Sequence, residues 1–370
     1  MKSANKRILY IGGFEMPDKN AAAQRVLSIA KALRISGFET IFYGITKSND
    51  IKGFVDGFEY NASQYPKGTL AWIRYALGVG IVERINQWEP DIVITYNYPA
   101  FAQEKIIKYC HKKGIKVVGD ITEWYMPTDI VRKVDTALRM HWSNKHLDGV
   151  IAISRYLNHY YKKNVVLQLP PLIDMDEVKW KVQPYNDDSE KIKLIYAGQP
   201  SFSKDRLDFI IKGIAAISHQ NLFLNIVGIT KEQFIGIYGD KWNVSQLPVN
   251  FYGRLPHVET VKLLKSSDFQ VFFRPNIRLN NAGFPTKFVE SMTAGVPVIM
   301  NRISNVDDYL RDGVNGIMIE NPVENEIQDA LERVSHMSRK DVDVMKSNCH
   351  CDTFDYHQYV DVLGKFISKI

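Results

Sequence analysis

The sequence predicts an α/β protein made of two doubly wound parallel sheets that face each other across a cleft. Apolar strand-like runs and helical segments alternate along the chain, which is the pattern of a parallel sheet covered on both faces. The alternation stops at a proline-rich joint, LQLPPLIDMDEV at 167–178, and then resumes. The 370 residues exceed one ordinary domain and suit two.

The first half begins with an apolar strand, Arg7 to Gly12, that ends at Gly12-Gly13. A helix is predicted for Ala21 to Ser36 because apolar residues recur at the spacing of one buried face: Val26, Ile29, Ala30 and Leu33. The same two patterns predict strands at 40–43, 91–95, 115–120 and 149–153, and helices at 70–86, 101–112, 131–145 and from 154.

The second half opens with a polar loop at 180–191 and then repeats the alternation. Strands are predicted at 192–197, 223–227, 249–252, 269–273, 296–300 and 316–319, and helices at 207–218, 231–238, 258–266, 324–336 and 355–369. A further short helix opens at Pro285, which suits the first helical position, and Gly295 supplies a left-handed stop. The predicted domains are therefore 1–170 and 171–354, followed by a C-terminal helix at 355–370.

Composition indicates a globular protein, with 45% hydrophobic and 24% charged residues. No apolar run is long enough to cross a membrane, the N-terminal residues do not resemble a signal peptide, and the three cysteines are scattered. These features predict a cytoplasmic protein. Residues 1–170 hold 24 Lys and Arg against 15 Asp and Glu, a net charge of +9, which suits either an anionic membrane surface or a solvated basic face.

Ligands of doubly wound sheets bind at the carboxyl ends of the strands. In the first half this rule selects Gly12-Gly13, Asn97, Asp120 to Glu123, and Ser154. In the second half it selects the following residues, with the loop before Pro285: Gly198, Gln199, Gly228, Gly253, Arg254 and Arg274.

The second set predicts a phosphate site. The helix that opens at Pro285 offers free N–H groups and the positive end of its dipole. Cations that follow other strands add charge: Lys204, Arg206, Arg254, Arg274 and Lys287. Glu290, one turn into the helix, is suited to a ribose diol; the alternative is a surface carboxylate paired with Lys287. Taken alone, each strand-end arginine is more often an ordinary surface residue.

Other nucleotide and hydrolase classes lack their motifs here. The sequence contains no G-x-G-x-x-G after the first strand, no G-x-x-x-x-G-K-[ST] and no G-x-S-x-G. His141 and His146 are five residues apart, which is not the spacing of a helical metal pair, so no metal site is predicted. A net-acidic second half and the lack of a recognition motif argue against nucleic acid as a partner.

GFPTKFVESMTAGVPVI, at 283–299, resembles the signature of retaining glycosyltransferases of the GT-B type, in the family 4 (group 1) set. Supporting stretches run over nearly the whole chain: YIGGFEMPDKNAAAQRVL, LDGVIAISRYL, IKLIYAGQPSFSKDRLDF and VNFYGRLPHVETVKLLKSSDFQVFFRP. The resemblance implies a basic first domain for the acceptor, a second domain for a nucleotide diphosphate sugar, and a C-terminal helix that packs back on the first domain. It implies no cofactor and no metal.

The resemblance also implies roles for individual residues. Glu290 matches the second Glu of the family's E-x7-E motif, which holds the donor ribose. Leu255 lies where the base is met, and Gly13 lies near the phosphates. The donor-binding residues implied are Gly13, Gly198, Gln199, Lys204, Arg254, Leu255, Asn281, Gly283, Phe284, Thr286, Lys287 and Glu290.

Two positions depart from the family pattern. Ala282 stands where the first Glu is expected, and Gln199 stands where the Arg of the diphosphate-binding Arg–Lys pair is expected. Asn280, Asn281 or Arg274 are candidates to replace the Glu, and Arg254 or Arg274 to replace the Arg.

The resemblance implies front-face attack, in which the leaving diphosphate takes the acceptor's proton. The predicted catalytic residues are Asp120, Glu123, Lys204 and Arg274. Asp120 and Glu123 would bind acceptor hydroxyls or assist proton transfer, and the alternative is a helix cap. Trp124 and Tyr125 stack on a sugar or simply pack.

The leading hypothesis is a metal-independent hexosyltransferase that acts on a glycan or lipid-linked acceptor in bacterial surface polysaccharide assembly, such as capsule or lipopolysaccharide. The protein would lie in the cytoplasm or peripherally on the inner face of the membrane. Two alternatives remain: a catalytically weak relative that binds a sugar nucleotide or a partner, and a sugar-nucleotide epimerase.

Overall fold

The structure, a computed structural model, describes residues 6–17, 20–185, 189–217 and 221–370 and confirms the predicted α/β fold. Two compact units divide the chain. The first comprises the described residues of Met1–Ile173 with Ala282–Phe284 and Asp355–Ile370, and the second comprises those of Asp174–Asn281 and Pro285–Phe354. The sequence places the boundary at 170 and assigns 282–284 to the second domain.

A sheet of eight described strands forms the centre of the first unit, in the order β3-β4-β2-β1-β5-β6-β7-β8. The strands are β1 (Arg7–Glu15), β2 (Glu39–Thr46), β3 (Lys52–Val55), β4 (Phe58–Gln64), β5 (Ile92–Tyr96), β6 (Lys116–Ile121), β7 (Gly149–Ala152) and β8 (Val166–Gln168). All neighbours are parallel except the edge pair β3 and β4.

The helices of this unit are α1 (Ala21–Ile35), α2 (Gly68–Ala76), α3 (Ile81–Trp88), α4 (Ala100–Lys112), α5 (Ile130–His141) and α6 (Arg155–Tyr160). Asn20 begins α1, because its side-chain oxygen accepts the N–H of Ala23 at 2.9 Å. The apolar face predicted for this helix, Val26, Ile29, Ala30 and Leu33, is fully buried.

The second unit has six described strands, all parallel, in the order β11-β10-β9-β12-β13-β14. They are β9 (Ile192–Ala197), β10 (Leu222–Val227), β11 (Val249–Gly253), β12 (Phe269–Val271), β13 (Val298–Asn301) and β14 (Gly316–Ile319). The helices between and after them are α7 (Leu207–Ala216), α8 (Lys231–Tyr238), α9 (His257–Lys265), α10 (Arg278–Ala282), α11 (Thr286–Thr293), α12 (Glu324–Ser335) and α13 (Arg339–Ser347).

The last helix, α14 (Val360–Lys369), packs against α1 in the first unit. Leu363, Phe366 and Ile367 enter the same core as β1 and α1. Ser36 donates a hydrogen bond from Oγ to the carbonyl of Val360 at 3.0 Å. Gly149 makes room for this helix, because a Cβ there would lie 2.4 Å from Cδ1 of Ile370.

One predicted helix is wrong. The segment 70–86 forms two helices, α2 and α3, rather than one. Gly78 and Gly80 between them have φ of +58° and +82°, and a continuous right-handed helix excludes both values. The two glycines therefore end the first helix and begin the second.

Smaller differences concern the ends of elements. β1 continues to Glu15, so Gly12 and Gly13 lie inside a strand that shifts register there, and Pro285 caps α11 instead of opening it. The strands predicted at 269–273 and 296–300 are shorter. The sequence did not predict β3, β4, β8, α10 or α13. Ser218, the predicted end of α7, and residues 186–188 of the predicted polar loop lie outside the described residues.

A buried ion pair joins α1 to β6. Arg25 donates from Nη2 to Asp120 at 2.8 Å and from Nη1 to the carbonyl of Pro170 at 2.9 Å. Tyr10 donates its hydroxyl to the other oxygen of Asp120 at 2.6 Å. Burial works against the charge of Arg25, yet its pKa is raised because Asp120 stabilises the charged form. The carboxylate is fully enclosed.

We expect Arg25→Met to lower the free energy of unfolding by roughly 3–5 kcal/mol, because Asp120 would stay buried without its cation. Urea denaturation measures this change. Arg333→Met is the matched control: Arg333 is exposed and lies 3.0 Å from Asp312, so its loss should cost less than about 1 kcal/mol. Equal losses in the two variants would contradict the structural importance of the buried pair.

Candidate functional site

Three neighbouring strands of the second unit end at or directly before a glycine. Gly198, Gly228 and Gly253 have φ of +139°, +111° and +66°. Gly198 donates its N–H to Val227 at 2.9 Å, and Gly228 donates to Gly253 at 2.7 Å. A Cβ on Gly228 would lie 2.4 Å from the carbonyl oxygen of Gly198, so only glycine fits this contact. The bare backbone forms a glycine shelf, as we call these three residues, that a ligand can approach closely.

Asp205 holds two cations beside the shelf. Its carboxylate accepts Nε of Arg274 at 2.7 Å and Nζ of Lys287 at 2.5 Å. Arg274 is also fixed through its backbone, since its N–H bonds to the Asn301 side chain at 2.9 Å. Within the described residues the two terminal nitrogens of Arg274 have no hydrogen-bond partner. The cluster therefore carries one carboxylate and two cations.

Burial raises the pKa of Asp205, but Arg274 and Lys287 outweigh that effect and lower it to about 2. The carboxylate is therefore ionised throughout the physiological range, and it keeps both cations in place. The sequence interpretation missed Asp205, although it lies between the two cations it considered, Lys204 and Arg206.

Lys287 lies directly over the shelf. A Cβ on Gly198 would come within 2.4 Å of Nζ of Lys287, and that nitrogen lies 5.8 Å from the centroid of the Tyr196 ring. The lysine is the second residue of α11, whose buried Phe288, Val289 and Met292 fix the helix against the core. Gly295, with φ of +71°, ends the segment as predicted.

Glu290 is partly exposed on α11 and lies 3.4 Å from Nε2 of His257, the first residue of α9. It does not pair with Lys287, which is held by Asp205 instead. The sequence interpretation missed His257, because nothing in the sequence signals a pairing between α9 and α11.

The other predicted donor residues of this unit differ in burial and in hydrogen bonding. Arg254 is exposed and has no ion pair or hydrogen bond among the described residues, whereas Leu255 is partly buried. Gln199 and Thr286 are exposed. Lys204 is partly buried, and its N–H bonds to Oγ of Ser201 at 3.1 Å. Arg206 points elsewhere: it pairs with Asp208 at 2.5 Å and stacks on Phe209.

The residues proposed to replace the missing Glu are occupied by contacts of their own. Asn280 is buried and donates to the carbonyls of Ser203 and Pro275 at 2.8 and 2.9 Å. Asn281 donates to Asn276 at 2.6 Å and accepts the N–H of Ser304 at 3.1 Å. Their amides shape the loop, whereas Arg274, the third candidate, keeps unused donors on its terminal nitrogens within the described residues.

The next three residues, Ala282, Gly283 and Phe284, are buried and group with the first unit. Ser154 of that unit donates from Oγ to the carbonyl of Ala282 at 2.7 Å. Two of the predicted donor contacts, Gly283 and Phe284, are therefore buried residues.

In the first unit the structure corrects the interpretation of Asp120. This residue is enclosed in the pair with Arg25, so its carboxylate does not face a ligand. Glu123 is partly exposed and bonds to Tyr125. Trp124 packs, since it is buried with its ring centroid 4.8 Å from that of Tyr160.

Gly13 is exposed within β1, and the hydroxyl of Tyr75 lies 3.4 Å from where its Cβ would be. Asn97, with φ of +43°, joins the ends of β5 and β6: it donates to Oγ1 of Thr122 at 2.5 Å and accepts the Thr122 N–H at 3.1 Å. Asn97 and Thr122 therefore hold the loops at the carboxyl ends of this sheet.

Comparison with known families finds a match within the second unit. Residues 179–349 match the model of the glycosyl transferases group 1 family. The matched segment makes up most of the second unit. It contains the glycine shelf, the Asp205 cluster and Glu290, whereas Gly13, Asp120 and Glu123 lie outside the matched residues. No curated protein matches the sequence significantly.

Solved glycosyltransferase structures share the fold of the whole chain. The apo lipopolysaccharide outer core galactosyltransferase WaaB is 16% identical, with a TM-score of 0.70 over 98% of this chain and 100% of that chain. HepE of Anabaena in complex with UDP is 13% identical, with a TM-score of 0.70 and the same coverage. Sucrose-phosphate synthase of Thermosynechococcus elongatus is 12% identical, with a TM-score of 0.74 over 99% of each chain. The chain thus has the GT-B fold.

The described residues show neither a metal-binding cluster nor a membrane-spanning helix. Across the part of the chain that the structure describes, His, Cys, Asp and Glu side chains do not gather in groups of three that could hold a metal. Among the same residues, no helix is both long and apolar enough to cross a bilayer.

The low pKa of Asp205 predicts a pH dependence of stability. Its pKa is about 2 in the folded state and about 3.9 in an unfolded chain, so ionised Asp205 stabilises the fold above about pH 4. That contribution, about 2 kcal/mol, is lost as the pH falls towards 2. The difference in unfolding free energy between wild type and Asp205→Asn should be constant above about pH 5 and shrink below pH 4.

Chemical denaturation at fixed ionic strength across this range measures the difference. Asp329→Asn, at an exposed position of α12, is the control and should show no such loss. A wild-type advantage over Asp205→Asn that is as large near pH 2 as at pH 6 would contradict the assignment.

Proposed function

We propose that this protein is a retaining hexosyltransferase that moves a sugar from a nucleotide diphosphate sugar to a glycan or lipid-linked acceptor. The observation that carries the proposal is the Asp205 cluster beside the glycine shelf, inside the segment that matches the group 1 glycosyltransferase family. HepE, a protein of the same fold, has been solved with UDP and with UDP-glucose, which supports a nucleotide sugar as donor.

The donor diphosphate is proposed to lie on the shelf. There it would meet the amine of Lys287, the terminal nitrogens of Arg274 and the guanidinium of Arg254. The N–H groups at the start of α11 add the positive end of the helix dipole. The ribose diol would donate to Glu290, whose neighbour His257 orients the carboxylate. The chain near Leu255 would meet the base.

Transfer requires the bond between the anomeric carbon and the diphosphate oxygen to break as the acceptor oxygen bonds to that carbon. We propose that the acceptor attacks from the side of the leaving group, and that its proton passes to the departing diphosphate. The role of the protein is then to stabilise charge on that diphosphate, which preorganised cations do without a metal. We assign the stabilisation of the departing diphosphate to Arg274 and Lys204. Glu123 remains the candidate for binding a hydroxyl of the acceptor.

The pathway is proposed to be bacterial surface polysaccharide assembly, capsule or lipopolysaccharide, at the inner face of the cell membrane. Two solved proteins with this fold, WaaB and WaaG, act in lipopolysaccharide synthesis by their descriptions. The net charge of +9 in residues 1–170 favours contact with an anionic leaflet.

A second candidate function is a catalytically weak relative that binds a sugar nucleotide. The observation that favours it is the pair of departures, Ala282 and Gln199, together with the engaged amides of Asn280 and Asn281. An epimerase is less well supported, because Asp120 is sealed in the core and few other carboxylates follow the strands.

A panel of nucleotide sugars and free nucleotides tests the donor site. We expect one diphosphate sugar to raise the Tm, because a ligand that binds only the folded state stabilises it. Glu290→Ala should abolish the part of the Tm shift that depends on the ribose, because the ribose hydroxyls lose the carboxylate to which they donate. Arg254→Gln should weaken binding of the diphosphate and so reduce the shift. Glu332→Ala, an exposed carboxylate of α12, should leave the shift unchanged. No shift with any nucleotide would contradict the proposal.

Ala282→Glu separates the transferase from the weak relative. We expect no gain in transfer rate, because the Ala282 side chain is fully buried and an ionised Glu there is destabilising. The rate is measured with the donor found in the panel, and the Tm reports any loss of folding. A large gain would favour the weak relative.

A further inference from the structure

The outer face of α5 in the first unit is apolar and exposed. Ile130, Val131 and Val134 have 71%, 59% and 49% of their surface accessible, and Phe101 of α4 beside them has 57%. With α2 these helices border a groove of about 340 Å³, within the size range of small-molecule sites. Trp72, Phe101, Val134 and Asp135 are among the residues that line it. A contiguous apolar surface of this kind indicates a ligand or partner.

One turn beyond Asp135 on α5, a buried arginine has unused hydrogen-bond donors. Arg139 is 3% exposed and donates from Nη1 to the carbonyl of Asn97 at 2.8 Å. Its Nε and Nη2 are buried and have no hydrogen-bond partner. Within the described residues Arg139 forms no direct ion pair, and it acts on Asp135 only at longer range: burial raises the pKa of that carboxyl, and the charge of Arg139 opposes the rise. A buried cation with two unused donors is unfavourable unless an anion joins it.

The groove and the arginine adjoin each other. Asp135 lines the groove and lies four residues before Arg139, hence on the same face of α5. The 97–101 segment touches both: Ala100 donates its N–H to Asp135 at 2.9 Å, and Asn97 accepts from Arg139. The Tyr125 ring, 41% exposed, lies 5.0 Å from the guanidinium carbon and covers it.

The rim of the groove is basic. Arg74 and Lys133, which adjoin the lining residues Ile73 and Val134 in the chain, are exposed. Arg132 lies 5.8 Å from the ring centroid of Trp72, and its Nε is 3.6 Å from Asp129. Apolar walls, flanking basic residues and an unsatisfied buried guanidinium one helical turn from the lining residue Asp135 complement an amphiphile with an anionic head.

We propose that the first unit binds a lipid phosphate, with its apolar chain in the groove between α2 and α5 and its phosphate on Nε and Nη2 of Arg139. The Tyr125 ring turns aside to admit the phosphate. Identifying this lipid phosphate as the acceptor rests on the proposed transferase function, whereas the binding site itself does not.

The test titrates the full-length protein with farnesyl phosphate and with farnesol, below their aggregation concentrations, by calorimetry. We expect farnesyl phosphate to bind, and Arg139→Gln to weaken it roughly 10- to 100-fold, the range of charge-assisted hydrogen bonds. Farnesol should bind more weakly and be insensitive to Arg139→Gln. Val134→Asp should weaken both ligands. Arg333→Gln, the same charge change at an exposed arginine of the second unit, should alter farnesyl phosphate binding less than about threefold.

Folding and the source of the phosphate are controlled separately. The Tm and circular dichroism of each variant show whether it folds, and Arg139→Lys, which keeps the charge, should recover part of the affinity. If inorganic phosphate binds as tightly as farnesyl phosphate, the groove takes no part and the proposal fails. It also fails if both farnesyl ligands bind equally, or if neither binds.

Two other occupants of the groove would overturn the proposal. Sedimentation with phosphatidylglycerol vesicles that Val134→Asp abolishes and Arg139→Gln leaves intact would show a membrane-docking face. A dimer lost in Val134→Asp would show a second copy of this chain. Nucleotide-sugar stabilisation, measured on the same samples, separates failure of the lipid site from failure of the proposed function.

Discussion

Parallel strands place all their carboxyl ends on one edge of a sheet, and the functional parts of both units depend on that constraint. In the second unit it brings three glycine ends into hydrogen-bonded contact and sets Arg274, after β12, beside the loop that follows β9. In the first unit it brings Asn97 and Thr122 together after β5 and β6. The parallel topology of the sheet thus brings residues that are far apart in the sequence close together in space.

Each edge is organised by one buried aspartate, and the two differ in the charge that remains. Asp120 is matched by a single arginine and further bound by a tyrosine hydroxyl, so its pair is neutral and closed. Asp205 is matched by two cations, so its cluster keeps a net positive charge. The first arrangement fastens a helix to a sheet. The second presents cations at a surface where an anion can meet them.

The periodicity of apolar residues predicted the fold class and most elements, because burial of one face leaves a direct trace in the sequence. It missed the break between α2 and α3, although Gly78 and Gly80 were visible signs of it. The rule of strand ends found the neighbourhood of the shelf, and Lys287 and Arg274 with it. It could not show whether a strand-end carboxylate turns inwards or outwards.

That direction depends on partners elsewhere in the chain. The Asp120 side chain points into the core because it pairs there with Arg25, which lies 95 residues earlier in the chain. The sequence did not indicate Asp205 or His257 for the same reason. Asp205 pairs with Lys287 and His257 pairs with Glu290, and both partners belong to α11, later in the chain. Pairings of this kind leave no local pattern, and single-sequence reasoning does not reach them.

The position of α14 has a consequence for synthesis of the protein. The core of the first unit contains Leu363, Phe366 and Ile367, more than 300 residues after the strand β1 that they help to cover. During synthesis the first unit therefore cannot complete its core until Ile367 has left the ribosomal exit tunnel. The second unit ends at Phe354, so all its strands and helices are available earlier. The first unit is therefore translated first but completed last. Its apolar core residues remain exposed during most of translation, and chaperones can bind them.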